Sequence, residues 1–292
     1  MPYADNYFEF DSSKRVTKEA TQGGLYAHLY AYAKSSFTTG YNAWTYKTTE
    51  TLPDNNQLIV YSNFAGEAML TVFYDTTTLQ KWETFNKYDS AGRVILRALP
   101  SAITGYDDTK SDLLNSVSSN YQYMRDSSGL VEITDYASST TATPSTPGNV
   151  AGFLQDTKIK QGELGTTILI SGQQYYSHTA NSVTIYPTAN STRYRNTDGT
   201  GAETTSNSYT FFTGTNQIQS IAISLPVISS SQNGPGSADV VTVFNDTYGR
   251  PIWSKDGDGF INYTPILNAP SGAGETPPRP ISMRTNLPSS WD

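Results

Sequence analysis

Two histidines, His28 and His178, are the only imidazoles in this 292-residue chain, and it has no cysteine. Thiol nucleophiles, disulfides and thiolate-bound zinc or iron–sulfur centres are therefore excluded. A Ser-His-Asp arrangement would have to recruit one of the two histidines through the fold, because no G-x-S-x-G segment announces a nucleophile. His178 follows Tyr175 and Tyr176 in a strand-like stretch, with no acid or nucleophile motif beside it. Pairs of carboxylates for glycoside hydrolysis carry meaning only once their separation is known. Ser254-Lys255-Asp256-Gly257-Asp258-Gly259 imitates the front of a calcium-binding EF-hand loop. Its first ligand position is Ser, however, and its twelfth is Pro265, where the ion needs a bidentate Glu. These residues predict no catalytic group, no metal and no cofactor.

The strongest binding candidate is aromatic. Between Leu25 and Ala33, a strand would place Tyr26, His28, Tyr30 and Tyr32 on one face and Leu25, Ala27, Leu29, Ala31 and Ala33 on the other. A helix would instead pair Tyr26 with Tyr30 and Leu25 with Leu29. A strand ladder with polar tips suits stacking on sugar rings, and equally suits cross-strand packing within a sheet.

What must position these side chains is a series of turns. The tetrad Asp/Asn-x-x-Gly occurs at Asn63–Gly66, Asp89–Gly92, Asp126–Gly129, Asn196–Gly199, Asp246–Gly249 and Asp256–Gly259. Asp11-Ser12-Ser13-Lys14 is a seventh copy with Lys in the Gly position. Asp or Asn opening a turn accepts the backbone N–H two residues on, and Gly in the fourth position takes φ > 0 without a Cβ clash. A type I turn closed by such a glycine joins antiparallel strands with the correct twist. The expected fold is all-β, a spiral of stacked antiparallel hairpins.

Tyr88-Asp89-Ser90-Ala91-Gly92-Arg93-Val94 resembles the Tyr-Asp-x-x-Gly-Arg signature of the RHS/YD-repeat family. Residues 244–263 look like one whole repeat, with Asp246, Gly249 and Arg250 in its first half, then Asp256, Gly259 and a closing Tyr263. Phe10–Val16 is similar without the glycine, and Tyr61–Glu67 and Tyr194–Thr200 resemble second halves. Two features depart from the pattern. First halves open near Asp11, Asp89 and Asp246, far wider than a regular repeat, and the Asp-Pro-x-Gly motif that ends the family's core is absent. The resemblance implies a non-catalytic internal segment of a shell or surface scaffold, exported or at the cell surface. Its partners would be neighbouring repeats of the same polypeptide or like subunits. Alternatives are a carbohydrate-binding β module contacting a glycan or cell-surface partner, and a carbohydrate-active enzyme with an unrecognised site.

Composition agrees with strands. Tyr 21, Phe 11 and Trp 4, with only 15% charged residues, favour β structure. A net charge of −7 without a basic cluster argues against nucleic acid. No apolar run reaches membrane-spanning length, so no membrane insertion is expected. The opening MPYADNYFEF lacks a basic n-region and an apolar h-region, placing any export signal outside this segment. Alternation predicts strands at Val94–Leu99, Ile221–Val227 and Val240–Phe244. Thr166–Ile170, interrupted by Ser171-Gly172 and resumed at Tyr175-Tyr176, predicts a hairpin. Asp108–Val117 predicts the only helix, with Leu113, Leu114 and Val117 inward. One β domain is expected over 1–264, with low-complexity loops at 138–148 and 229–237 and a Pro-rich extended tail at 265–292.

Overall fold

The computed structural model describes residues 5–264, and the expected tail at 265–292 lies outside them. The chain divides into two compact units, Met1–Asp135 with Thr157–Ile168, and Tyr136–Asp156 with Leu169–Asp292. The first contains β1 (Asn6–Phe10), β2 (Val16–Thr21), β3 (Tyr26–Lys34), β4 (Tyr46–Thr51), β5 (Gln57–Ser62), β6 (Ala68–Tyr74), β7 (Lys81–Tyr88) and β8 (Val94–Ala98). It also holds the two-residue strands β9 (Ser116–Val117) and β10 (Asn120–Tyr121), and most of β11 (Leu130–Tyr136) and β12 (Leu154–Gln161). In the second are β13 (Ile168–Tyr175), β14 (His178–Ala180), β15 (Val183–Ile185), β16 (Thr188–Tyr194), β17 (Ala202–Phe211), β18 (Ile218–Ser224), β19 (Val240–Asn245), β20 (Pro251–Lys255) and β21 (Ile261–Tyr263).

The protein is all-β and antiparallel, and no α-helix occurs among the described residues. In the first unit β1 to β8 pair in chain order and β11 pairs with β8. The second unit repeats this meander from β16 to β21, with β13 paired to β16 and β14–β15 a separate small hairpin. Alternation decides which face is buried. In β5 to β7, Tyr61, Leu70, Val72 and Phe85 are fully buried, while Phe73 and Trp82 pair on the opposite face with ring centroids 5.7 Å apart. The excursion between β8 and β11 supplies Ala102, Ile103, Leu113, Leu114, Tyr121 and Met124 to the same core.

Of the six tetrads named above, five join paired strands, and their six glycines all have positive φ, from 78° to 88°. Asp126–Gly129 is the exception. It leads into β11 without a partner strand before it, and the Asp126 carbonyl accepts from Leu164 N–H at 2.9 Å. Gly129 is required there by close approach, since a Cβ would lie 2.2 Å from the Ser101 carbonyl oxygen.

Three local expectations need correction. Asp108–Val117 is not helical. Leu113 (φ 65°) and Asn115 (φ 54°) are left-handed, and the Asp112 carboxylate takes the Asn115 and Ser116 N–H groups at 2.9 and 2.7 Å. Adjacent Leu113 and Leu114 are both fully buried, which this kinked loop achieves in place of a helical turn. Ser171-Gly172 does not break a hairpin, because β13 runs straight through it and Gly172 pairs with Thr192. Strand β18 ends at Ser224, short of the expected Val227, because Pro226 has no N–H to continue the ladder.

Candidate functional site

The turn residues form a repeated clamp. Asp89 Oδ1 accepts the N–H of Ala91 (2.8 Å) and of Arg93 (3.0 Å). Its Oδ2 accepts Arg93 Nε (2.8 Å) and Nη2 (2.6 Å). Asp246 does the same with Tyr248 (2.9 Å), Arg250 N–H (2.9 Å), Nε (2.8 Å) and Nη2 (2.7 Å). Asp11 repeats it with Ser13, Arg15 N–H, Nε and Nη2 between 2.7 and 2.9 Å. Here Lys14 adopts φ 63°, taking the glycine's conformation. In Asn63–Gly66 the polarity is inverted: Asn63 Oδ1 accepts Ala65 and Glu67 N–H while Nδ2 donates to Glu67 Oε2 at 2.8 Å. Asp256 accepts Phe260 N–H at 2.8 Å in the second turn of the paired unit. Gly259 has φ 88°, and Tyr263 closes β21 opposite Trp253.

The Asp11, Asp89 and Asp246 carboxyls sit below their ordinary range. For Asp89 and Asp246 burial acts upward, but the arginine and backbone hydrogen bonds outweigh it. For Asp11 the Arg15 N–H is the largest influence and acts downward. The clamps lie at or near the surface, so their contribution is the fixing of turn geometry more than Coulomb energy.

The aromatic ladder is a strand. β3 sets His28, Tyr30 and Tyr32 beside Glu19 of β2 and Glu50 of β4. His28 Nδ1 lies 2.8 Å from Glu50 Oε1, and the Tyr30 hydroxyl lies 3.3 Å from Glu50 and 3.4 Å from Glu19. Burial, then the two glutamates, push the Tyr30 hydroxyl up to about 12. The Tyr32 hydroxyl donates to the Val16 carbonyl at 2.8 Å, and its ring carries the Arg15 guanidinium 4.5 Å from the centroid. Arg15 thus ties the first clamp to the ladder. Tyr26 remains exposed at the end. His178 lies elsewhere, in the second unit, stacked on Phe211 at 3.6 Å with Nε2 2.9 Å from the Thr215 carbonyl oxygen.

A feature missed in the sequence reading is a cleft of about 800 Å³ between β7 and the 100–125 excursion, lined by Lys81, Trp82, Glu83, Tyr106, Tyr123 and Arg125 among others. Glu83 sits on the core-facing side of β7, opposite Val72, and is 6% exposed. Burial pushes its carboxyl above the ordinary range, against the opposing pull of its own backbone N–H and of Lys81. Lys81 Nζ rests between the rings of Tyr74 and Tyr106, 5.4 and 5.1 Å from their centroids. The sequence held one signal of this. A period-2 reading of Lys81–Tyr88 puts Glu83 on the face of Phe85, a carboxylate at an inward position.

No protein-family model and no curated protein matches the chain. Among solved structures, a crystal structure of TcdB2-TccC3 is similar at 14% identity with a TM-score of 0.31. A Photorhabdus luminescens Tc holotoxin pore carrying a TccC3 mutation gives the same identity and score. Each match covers 88% of this chain, which spans 14% and 13% of the respective partner. Likeness at this score carries no argument about function.

Proposed function

We propose that this chain is a non-catalytic structural segment of an exported or cell-surface protein of the RHS/YD-repeat type. It would scaffold, enclose or adhere by packing against neighbouring repeats of the same polypeptide or like subunits. The supporting observation is the clamp itself. Three turns far apart in the chain, at Asp11, Asp89 and Asp246, share the same four contacts to the aspartate and the same left-handed fourth residue. Such repetition serves the building of hairpins, and a hairpin sheet buries its faces by stacking on further coils. His28 is engaged with Glu50, while His178 is stacked and bonded to backbone.

The test is a turnover screen of the purified chain against glycosides, esters and peptides, run beside His28→Ala and His178→Ala. The expected result is no turnover by any of the three proteins. Turnover that either substitution abolishes overturns the structural reading.

A further inference from the structure

Glu83 is a buried residue whose carboxylate makes no hydrogen bond or ion pair with another side chain among the described residues. Lys81, two residues away on the same face, is not close enough to form an ion pair with it and is held by tyrosine rings. A carboxylate kept in this state is costly, and a well-packed core has no use for it. Glu83 lines the 800 Å³ cleft. Arg125 is exposed, lines the same cleft, and makes no side-chain hydrogen bond or ion pair among the described residues. The aromatic lining on the Glu83 side is Tyr106 and Tyr123, both half-buried, while the Trp82 ring lies on the opposite face of β7 against Phe73.

We propose that this cleft binds a neutral saccharide, with Glu83 accepting hydrogen bonds from vicinal hydroxyls, Lys81 and Arg125 donating to ring and hydroxyl oxygens, and the aromatic rings covering the apolar face of a pyranose. The charges narrow the choice of ligand. A phosphate or polyanion meets Glu83 at the inner end, and a cationic peptide meets Lys81 and Arg125. A polyhydroxylated ring offers donors and acceptors together with a C–H face, which matches all three kinds of lining. Glu83 is the single carboxylate among the lining residues, whereas glycoside hydrolysis uses a pair. The cleft therefore holds a sugar without cleaving it.

The test is isothermal titration calorimetry of the whole chain with neutral cello-, malto-, xylo- and chito-oligosaccharides, with a heparin oligosaccharide and hexalysine as charged controls. We expect saturable binding of at least one neutral oligosaccharide. Glu83→Gln should weaken it at least tenfold with the melting temperature held or raised, because the amide loses an acceptor and presents a donor. Arg125→Ala, at an exposed position that folding does not need, should weaken it about threefold and keeps the test decisive if Glu83→Gln fails to fold. Tyr30→Phe on the distant ladder should leave the affinity unchanged. Binding by none of the neutral sugars, binding confined to heparin or hexalysine, or neutral-sugar binding indifferent to both cleft substitutions would each overturn the proposal.

Discussion

The two units use the same turns to connect strands and differ in what the strands bury. The first unit has a continuous core running from Trp44 through Tyr61, Leu70, Val72 and Phe85 to Leu113, Leu114 and Val131. Much of that core comes from the excursion between β8 and β11, which folds onto the sheet. Among its described residues the second unit has only scattered buried side chains, including Ala137, Val150, Tyr175 and Ala189. Its strands are instead joined by hydroxyl pairs and surface ring stacks. Thr192 meets Thr204 at 2.9 Å, Thr210 meets Ser220 at 2.7 Å, and Phe244 stacks on Trp253 at 3.7 Å. Hairpin turns thus specify connectivity and register, while burial is supplied separately. A strand pair can be fully formed with very different amounts of apolar area behind it.

The largest expected effect exposes that difference. Phe85 is fully buried and packs edge-on against Tyr121 with centroids 5.5 Å apart. Phe85→Ala should cost about 3–5 kcal/mol, the range for deleting a buried aromatic. Phe244 is the matched residue of the second unit, half-buried and dependent on one stacked neighbour. Phe244→Ala should cost about 1–2 kcal/mol, mostly the aromatic pair and partial burial. Peptide-resolved hydrogen exchange reads both, with Phe85→Ala lowering protection over 57–98 and Phe244→Ala over 240–255. Equal costs would mean that the second unit owns a core as effective as the first.

A smaller effect separates strain from crowding at two copies of the same turn. Gly92 and Gly249 have φ of 78° and 79°. A Cβ at Gly92 would stand 2.7 Å from Tyr41 Cε1 and 3.1 Å from Glu67 Oε1, whereas at Gly249 the nearest atom is Gln217 Nε2 at 3.9 Å. Backbone strain of about 1–2 kcal/mol for alanine in this region, less roughly 0.5–1 kcal/mol for the stiffer unfolded chain, leaves a net cost of about 0.5–1 kcal/mol. Gly249→Ala should lose about that much, and Gly92→Ala about 2–3 kcal/mol because Tyr41 must also move. Denaturant midpoints measured on the two variants decide it. A silent Gly249→Ala would remove the positive-φ argument on which the hairpin reading stands.

The turns were legible because their chemistry is contained within five residues. Asp89, Gly92 and Arg93 carry the whole clamp, so the letters suffice. The β3 ladder was readable as either a strand or a helix, and its pairing with β2 and β4 decides for the strand. The cleft was not legible, because Glu83 and Arg125 meet only after the 100–125 excursion has folded back onto β7. The supposed helix at Asp108–Val117 failed on long-range grounds as well, since burying both Leu113 and Leu114 outweighed a weak local propensity. Asp126–Gly129 shows that identical letters can serve another purpose, with its glycine chosen by contact with Ser101 and Ala102. Lys14 shows the reverse, a missing letter with the geometry intact.

Lys14 therefore gives the finest test of the turn. It is exposed, its φ is 63°, and its N–H donates to the Asp11 carbonyl at 2.9 Å, as Gly92 and Gly249 donate to Asp89 and Asp246. A side chain in this region costs about 1–2 kcal/mol, and replacing it with glycine releases that strain. Glycine also frees the unfolded chain, which opposes the gain by roughly 0.5–1 kcal/mol. The two terms leave Lys14→Gly slightly stabilising, by about 0.5 kcal/mol. Lys14→Ala keeps the strain and removes the charge and the flexible stem, so it should stay close to wild type. The difference between the two variants isolates the backbone term from the side chain. Because Arg15 both clamps Asp11 and lies over Tyr32, tightening this turn should also raise hydrogen-exchange protection at β2 and β3. If Lys14→Gly proves less stable than Lys14→Ala by 1 kcal/mol or more, the first turn differs in solution from those at Asp89 and Asp246, and the equivalence of the three clamps fails at its weakest member.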